Sequence, residues 1–230
     1  MKNQKLSVII PTVQKNLRVL YQSLGILQND DVVSEIFIIN NFDKELCVPP
    51  HLKKVRIYHP EENLYVNKSW NIGIENIENE RFLILNDDIV GCEYFCSKVL
   101  ETNILEDEKT GLVGLSGTYI NQYSNKTVKL KTPVINEQDI VSFIPLTRYL
   151  HTGDWGSAFF GKKSSYYEIP EDIKIIYGDN YLLYQNQINN KINYEIKGLP
   201  FNHIHSLSSA SKEFSPIVCL DIANSKKYFK

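Results

Sequence analysis

The chain has 230 residues, of which 43% are hydrophobic and 23% are charged. This composition is that of an ordinary globular protein, and it excludes a mostly disordered chain. Lys and Arg number 25, Asp and Glu number 27, and the formal net charge is −2. Binding along a nucleic acid requires clustered positive charge, so we expect no nucleic-acid partner.

No apolar run reaches the ~18–20 residues that a membrane-spanning helix needs. The polar N-terminus leads into a short apolar run that is stopped by Pro11, which is unlike a signal peptide. Four cysteines at irregular spacing indicate reduced thiols rather than a disulfide framework. We therefore expect a cytoplasmic protein, and the lysines near the C-terminus are compatible with peripheral contact at the inner membrane face.

The first half of the chain alternates short apolar runs with segments of helical periodicity. Runs rich in β-branched residues predict strands at 6–12, 36–39, 55–58 and 82–85. Apolar residues at helical spacing predict helices at 17–27 and 65–77. Buried strands that alternate with helices predict an α/β fold, with a central and mostly parallel sheet flanked by helices.

The second half of the chain is more irregular. We predict strands near 112–115 and 194–196, a loop and strand within 153–161, and helices at 177–188 and after Ser215. The polar stretch 119–147 is expected to form hairpins. No linker-like segment or repeat interrupts the chain, so we predict a single domain over residues 1–230.

Polar side chains follow several of the predicted strands at the point where each strand ends. In open α/β sheets, ligands bind at the carboxyl ends of the strands, so these side chains are expected to share one cleft. The cleft residues are Thr12, Asn40, Asn41, Asn63, Asn86, Asp87 and Asp88.

Asp87 and Asp88 directly follow a buried strand. Two adjacent carboxylates repel each other unless a cation, water or a donor network compensates them. Oxygen ligands of this kind suit Mg²⁺ or Mn²⁺, which bind one or two carboxylates together with substrate phosphates. A solvated turn, or a cap for a following helix, explains the same pair equally well.

Four motifs occur in a fixed order along the first half. They are Ser-Val-Ile-Ile-Pro-Thr at 7–12, Ile-Ile-Asn-Asn at 38–41, Asn-Leu-Tyr-Val-Asn-Lys-Ser-Trp-Asn-Ile-Gly at 63–73 and Leu-Asn-Asp-Asp-Ile at 85–89. In this order and spacing they resemble the family-2 inverting glycosyltransferases with the GT-A fold. The resemblance covers about residues 6–90 and is patchier through 155–160, 178–180 and 205–206. It implies a GT-A-like domain with a nucleotide-sugar-binding half at 1–110 and an acceptor-side half at 111–230.

The resemblance also implies roles for individual residues on the donor side. The expected nucleotide-binding residues are Pro11, Thr12, Asn40, Asn63, Asn71, Asn86 and Asp87. Asp88 is expected to hold a divalent cation, Mn²⁺ or Mg²⁺, and His205 or His203 to be a further ligand of the metal or the diphosphate. We expect only one of these histidines to point into the site, and we favour His205 because a serine-rich stretch follows it.

On the acceptor side, the resemblance places Asp179 as the general base. The residue is an isolated carboxylate at the start of a predicted helix, where it also suits a helix cap, and the two roles are compatible. Trp155, directly before Gly156, either stacks on an acceptor sugar or packs in the core.

Three residues depart from the family pattern. Asn40 and Asn86 stand where the family has acids, so base recognition and one potential metal ligand differ. Tyr65 stands where the family has glycine, which puts the backbone turn at this position in question.

These features predict a glycosyltransferase that uses a UDP-, dTDP- or GDP-sugar and a glycan or lipid-linked glycan acceptor, in bacterial surface polysaccharide or glycan biosynthesis. A sugar-nucleotide nucleotidyltransferase is one alternative, but it needs a glycine-rich basic loop after the first strand, and residues 12–15 contain no glycine. A degenerate GT-A domain that binds sugar or nucleotide without catalysis is another alternative, which the changes at Asn40 and Asn86 keep open.

Overall fold

The computed structural model describes residues 4–117, 120–123, 130–135, 140–148, 155–204 and 212–229. Within these ranges the strands are β1 (Leu6–Thr12), β2 (Val33–Asn40), β3 (Val55–Tyr58), β4 (Arg81–Leu85), β5 (Ile89–Gly91), β6 (Thr110–Leu115), β7 (Ile120–Tyr123), β8 (Ser142–Pro145), β9 (Ala158–Lys162), β10 (Ile192–Lys197) and β11 (Phe201–Ile204). The α-helices are α1 (Leu17–Asn29), α2 (Tyr65–Asn76), α3 (Phe95–Glu101), α4 (Gly178–Ile188) and α5 (Ser215–Ser225).

The strands form two sheets. The larger sheet has eight strands in the order β3-β2-β1-β4-β9-β6-β10-β8, and the smaller has three in the order β5-β11-β7. Strands β3, β2, β1 and β4 run parallel to one another, whereas β9 runs antiparallel to both of its neighbours. Thr12 lies opposite Asn40 in the register of β1 and β2, so both strands end at the same edge of the sheet.

Helices pack on both faces of the large sheet. Alternate residues of β1 point to opposite faces, so Ile10 packs in one core cluster with Leu24 of α1, and Ile9 packs in the other with Trp70 of α2. A Cβ atom on Gly73 would lie 2.5 Å from the Ile9 side chain, so glycine allows α2 to approach the sheet closely. The fully buried strands of the first half explain why their sequences are continuous apolar runs.

The structure confirms the α/β class and the central sheet flanked by helices. The predicted elements of the first half are all present, with bounds that shift by a few residues. The expectation of hairpins within 119–147 is wrong for β7 and β8, because β7 pairs parallel with β11 and β8 pairs antiparallel with β10. None of the helices in the described ranges has the length and hydropathy to cross a membrane.

Candidate active site

The turn between β4 and β5 carries Asn86, Asp87 and Asp88 at the edge where the parallel strands end. The Thr12 hydroxyl donates a hydrogen bond of 2.5 Å to Asp87 Oδ2, and it accepts one of 2.9 Å from the Gln14 amide. The end of β1 therefore holds the carboxylate that follows β4. Because β5 rather than a helix follows the turn, the alternative of a helix cap does not apply to this pair.

The two carboxylates of this turn differ in their surroundings. Burial, together with the charge of neighbouring Asp88, raises the pKa of Asp87 to about 7. Asp88 is buried, and its Oδ1 atom lies 3.2 Å from His203 Nε2. Its backbone oxygen accepts a hydrogen bond of 2.9 Å from the Ile204 amide, which joins the turn to β11. Asp87 is half-buried beside the buried Asp88, and His203 is a basic side chain in contact with this pair.

The histidine beside Asp88 is His203, whereas the sequence favoured His205. His203 lies on β11, the central strand of the smaller sheet, and is buried. His205 lies outside the described residues. The expected role of His205 therefore stays a prediction.

Asn40 is fully buried and its side-chain amide is occupied by other parts of the protein. Its oxygen accepts a hydrogen bond of 3.0 Å from Gln14 Nε2, and its nitrogen donates one of 2.8 Å to the Lys44 backbone oxygen. The same nitrogen lies 3.1 Å from His59 Nδ1. These contacts indicate that Asn40 positions Gln14 and the loop after β2, and its expected contact with the nucleotide base stays a prediction. Pro11 is likewise buried within β1.

Asn41 and Asn63 shape the entry into α2. Asn41 Oδ1 accepts a hydrogen bond of 3.0 Å from the Leu64 amide, and Asn63 Oδ1 accepts one of 2.8 Å from the Tyr65 amide. Tyr65 has a φ of 60°, which is the left-handed conformation that glycine adopts easily. The turn thus keeps a conformation suited to the family's glycine although a tyrosine occupies the position.

Asn71 anchors a neighbouring segment. Its Oδ1 atom accepts hydrogen bonds from the Tyr166 hydroxyl at 2.8 Å and from the Ile169 amide at 3.0 Å, and its Nδ2 donates to the Ile169 oxygen at 2.9 Å. The residue is buried. Both polar atoms of the side chain thus bind the protein, and the expected role of Asn71 in nucleotide binding stays a prediction.

Asp179 lies in the first turn of α4. The preceding residue, Gly178, begins the helix, and Tyr177 occupies the N-cap position with a φ of 65°. Asp179 is therefore not the helix cap, although a carboxylate in the first turn is favourable to the helix dipole. Its Oδ1 atom accepts a hydrogen bond of 2.9 Å from the Asn180 amide.

Gly156 brings Asp179 next to the turn that carries the carboxylate pair. A Cβ atom at position 156 would lie 2.2 Å from Asp179 Oδ2, so any larger residue would displace this carboxylate from its present position. The next residue, Ser157, accepts a hydrogen bond of 2.9 Å from the Asn86 amide through its backbone oxygen. Gly156 and Ser157 therefore connect Asp179 with the turn of Asp87 and Asp88.

Trp155 belongs to the core, which corrects its predicted role as a platform for an acceptor sugar. Its indole stacks on Phe159 with ring centroids 5.4 Å apart and an interplanar angle of 16°. A Cβ atom added at position 114 would lie 2.2 Å from the indole, so Gly114 makes room for the ring. The indole nitrogen donates a hydrogen bond of 3.1 Å to the Tyr194 oxygen, and the side chain is fully buried.

Asp221 is a buried residue of α5 that the sequence did not single out. Its carboxylate accepts hydrogen bonds of 2.8, 2.7 and 3.0 Å from three consecutive backbone amides, those of Lys174, Ile175 and Ile176. From the other side, Asn67 Nδ2 donates 3.0 Å to the Ile173 oxygen. The segment that leads to Asp179 is thus held between α5 and α2. No local pattern reveals these contacts, because Asp221 is 45 to 47 residues away from its partners.

Comparison with solved structures identifies the fold. The fold is GT-A-like. A crystal structure of S. aureus TarS 1–349 matches with a TM-score of 0.62 and 12% identity, over 98% of this chain and 66% of that one. A second crystal structure of S. aureus TarS matches with a TM-score of 0.59 and 12% identity, over 98% of this chain and 40% of that one. GalNAc-T7, solved with UDP, GalNAc and Mn²⁺, matches with a TM-score of 0.62 and 12% identity, over 97% of this chain and 48% of that one.

These neighbours are glycosyltransferases, and the chain spans less than two thirds of their length. At this level of identity the likeness shows the fold alone. Comparison with family models and with curated proteins finds no match.

The acidic turn fits a divalent cation in part. Asp88 Oδ1 is buried and lies 3.2 Å from His203 Nε2, so Asp88 and His203 are the side chains that would meet a cation here. No group of three or more His, Cys, Asp or Glu side chains in the described ranges could hold an ion without further ligands. Mg²⁺ and Mn²⁺ commonly complete their coordination with water and substrate phosphates, so the residues fit a site that a nucleotide diphosphate completes.

Proposed function

We propose that the chain is a metal-dependent inverting glycosyltransferase that transfers a sugar from a nucleotide-diphosphate sugar to a hydroxyl group. One observation carries this proposal. Asp179 lies against Gly156, and the turn of Asp87 and Asp88 is hydrogen-bonded through the Asn86 amide to the next residue, Ser157, at the carboxyl edge of a GT-A-like sheet. Sugar transfer needs stabilisation of a leaving diphosphate and deprotonation of an incoming hydroxyl, and the two sets of carboxylates match these two tasks.

On the donor side, Asp88 and Asp87 hold the position that the diphosphate approaches. A bound Mn²⁺ or Mg²⁺ would supply positive charge as the nucleoside diphosphate leaves. Thr12 fixes Asp87 through its hydroxyl, and Gln14 is fixed in turn by Asn40. We propose that a nucleotide binds where the ends of β1 and β2 meet this turn.

On the acceptor side, Asp179 accepts the proton of the attacking hydroxyl. Attack on the face of the anomeric carbon opposite the leaving diphosphate inverts the configuration at that carbon. The segment before Asp179 is held by Asp221 and Asn67, so the carboxylate keeps its position without a contribution from the acceptor.

The nature of the donor and the biological setting are finer parts of the same proposal. UDP is the first nucleotide to test, because GalNAc-T7 was solved with UDP, GalNAc and Mn²⁺. GDP and dTDP follow. We propose a glycan or lipid-linked glycan acceptor and a role in bacterial surface polysaccharide or glycan synthesis at the cytoplasmic side of the membrane.

Isothermal titration with UDP, GDP and dTDP, each with and without Mn²⁺, tests the proposal. We expect one nucleotide to bind, and we expect Mn²⁺ to strengthen its binding at least about tenfold, since Asp88 would hold a cation that neutralises the diphosphate. Failure of all three nucleotides to bind in the presence of Mn²⁺ would contradict a nucleotide-sugar donor. Binding without sugar transfer to any acceptor would indicate the degenerate, non-catalytic alternative.

A comparison of Asp88→Ala with Asp107→Ala tests whether Asp88 is a metal ligand or only a structural turn residue. Asp107 is an exposed turn aspartate whose Oδ1 accepts a hydrogen bond from the Lys109 amide at 2.9 Å. We expect Asp88→Ala to lose the Mn²⁺-dependent part of nucleotide binding and Asp107→Ala to retain it. Equal Mn²⁺ and nucleotide affinities for wild type and Asp88→Ala would exclude the metal assignment.

A further inference from the structure

A cavity of about 450 Å³ opens at the start of α2, outside the contacts described for the acidic turn. Its lining includes Glu62, Tyr65, Lys68, Glu171, Ile173 and Lys174. We propose that this cavity binds a neutral sugar ring of the acceptor, and that Tyr65 determines which sugars fit. The inference rests on the proposed function, because it names the acceptor of that same reaction.

The backbone at Tyr65 is the first observation. A bulky residue with a φ of 60° is uncommon, because its Cβ atom is crowded in the left-handed conformation. Such conformations persist where surrounding contacts enforce them, and they cluster at binding sites. The side chains of Asn63 and Asn41 enforce this one through the amides of residues 65 and 64. Glycine would satisfy the backbone without this cost, so the aromatic side chain is what the position adds.

The surroundings of the ring show where that side chain is used. Tyr65 lines the cavity and meets Phe214 edge to face, with ring centroids 6.1 Å apart and an interplanar angle of 82°. The Lys174 ammonium lies 5.2 Å from the centre of the Tyr65 ring. The ring is therefore held in place by a residue from each of two distant segments of the second half, which makes it a fixed wall of the cavity.

The charge of the cavity indicates the kind of ligand. Two lysines, Lys68 and Lys174, are balanced by two glutamates, Glu62 and Glu171, and Lys68 Nζ lies 3.4 Å from Glu171 Oε1. Carboxylates and ammonium groups beside an aromatic wall offer many hydrogen-bond acceptors and donors to a polyhydroxylated ring. With two ammonium groups and two carboxylates, the lining has no net positive charge to favour a phosphorylated or otherwise anionic ligand. A neutral sugar fits this lining best.

The position of the cavity suits an acceptor. Ile173 and Lys174 belong to the segment that Asn67 and Asp221 hold, and this segment leads directly to Asp179. A sugar in the cavity thus contacts the same short stretch of chain that carries the proposed base. Positions on that stretch move together with Asp179, so acceptor binding and proton removal would share one rigid support.

Tyr65→Gly tests the proposal, and Tyr94→Gly is its matched control. Glycine relieves the left-handed backbone at position 65, so loss of function in this variant is not expected to come from unfolding. Tyr94 is also left-handed, with a φ of 57°, but it is 52% exposed and lies at the start of α3. Both variants thus make the same backbone change, and only one removes a ring from the cavity.

The measurement is saturation-transfer NMR with the methyl glycosides of glucose, galactose, mannose and N-acetylglucosamine, in the presence of UDP and Mn²⁺. We expect at least one glycoside to bind the full chain. Tyr65→Gly should weaken it roughly threefold to tenfold, as the loss of an aromatic contact implies, whereas Tyr94→Gly and Tyr65→Phe should keep wild-type affinity. Nucleotide affinity should be the same in all four proteins.

Three results would overturn the inference. The first is that no neutral glycoside binds, and the second is that glucose 6-phosphate binds more tightly than the methyl glycosides. The third is that Tyr65→Gly binds the glycosides as well as wild type does. If the sugar still binds in a Tyr65-dependent way but no nucleotide binds, the proposed donor site is contradicted and the sugar site is not. The two proposals can therefore fail separately.

Discussion

The donor side and the acceptor side of the candidate site are assembled in different ways. Asn40 ends β2 and Asp87 lies two residues after β4, and both are held by residues at the end of the neighbouring strand β1, Thr12 and Gln14. Asp179 depends instead on Gly156, Asn67 and Asp221, which lie on three other segments. Changes remote from the chemistry should therefore affect the acceptor side more than the donor side. The following predictions test this contrast, from the largest expected effect to the smallest.

Asp179→Asn should have the largest effect. The amide keeps the shape of the side chain but cannot accept the proton, and loss of a positioned base costs about 10²–10⁴-fold in rate. We expect sugar transfer to fall by this factor, while nucleotide affinity and thermal stability stay close to those of wild type. Near-wild-type transfer by a folded Asp179→Asn protein would remove Asp179 from the mechanism.

Asp221→Ala should affect both stability and transfer. The change leaves three backbone amides without their carboxylate, and unsatisfied buried donors cost about 1–3 kcal/mol each, so we expect a loss of at least 2 kcal/mol in the free energy of unfolding. Transfer should fall while nucleotide affinity persists. Chemical denaturation and titration measure the two effects, and the exposed Asp31→Ala serves as the control. An equal loss of transfer and of nucleotide affinity would contradict the separation of the two sides.

Gly156→Ala should act on the rate without removing any polar group. The added methyl would meet the Asp179 carboxylate, and a displaced catalytic group lowers the rate by up to about 100-fold. We expect kcat to fall at least tenfold at unchanged nucleotide affinity. Gly25→Ala is the matched control, because nothing lies within 4 Å of a Cβ atom there. If both variants turn over equally, Gly156 does not position Asp179.

Asp172→Asn should have the smallest effect, and one that depends on pH. Hydrogen bonds from Tyr228 and Lys227 lower the pKa of Asp172, and tie the end of the chain to the segment before Asp179. A lowered pKa stabilises the fold above the usual carboxylate range, and this stabilisation is lost as the pH falls through the folded-state pKa. We expect Asp172→Asn to be less stable than wild type by under ~1 kcal/mol at pH 7, since the group is partly exposed. The difference should shrink towards pH 3, and urea titrations across this range would reveal a constant difference if the prediction is wrong.

Much of the donor half could be predicted because its elements are local patterns. β1 and β4 are buried on both faces, so they are continuous apolar runs that can be recognised in the sequence. Polar residues that follow a parallel strand lie at the carboxyl edge of the sheet. The roles of the polar residues were less predictable. Asn71 carries the same amide whether it binds a nucleotide or, as here, the backbone of Ile169.

The second half was harder to predict because its strands pair with strands that are far away in the sequence. The polar stretch that suggested a hairpin contains β7 and β8, which lie in different sheets. Trp155 stood beside a glycine as a sugar-binding tryptophan would, but it is Gly114 that makes room for its ring in the core. No local periodicity distinguishes an aromatic residue that packs in the core from one that binds a ligand.

The amino-acid sequence by itself determined the α/β class, the parallel first half and the placement of the Asp87–Asp88 pair at a strand end. These features follow from hydrophobic periodicity and from the geometry of parallel strands, which are properties of short segments. Only the tertiary structure decided that His203 faces Asp88, that Gly156 admits Asp179, and that a carboxylate of α5 holds the segment before it. Contacts of this kind join residues that are far apart in the chain, and they exist only once the sheet and its helices have packed.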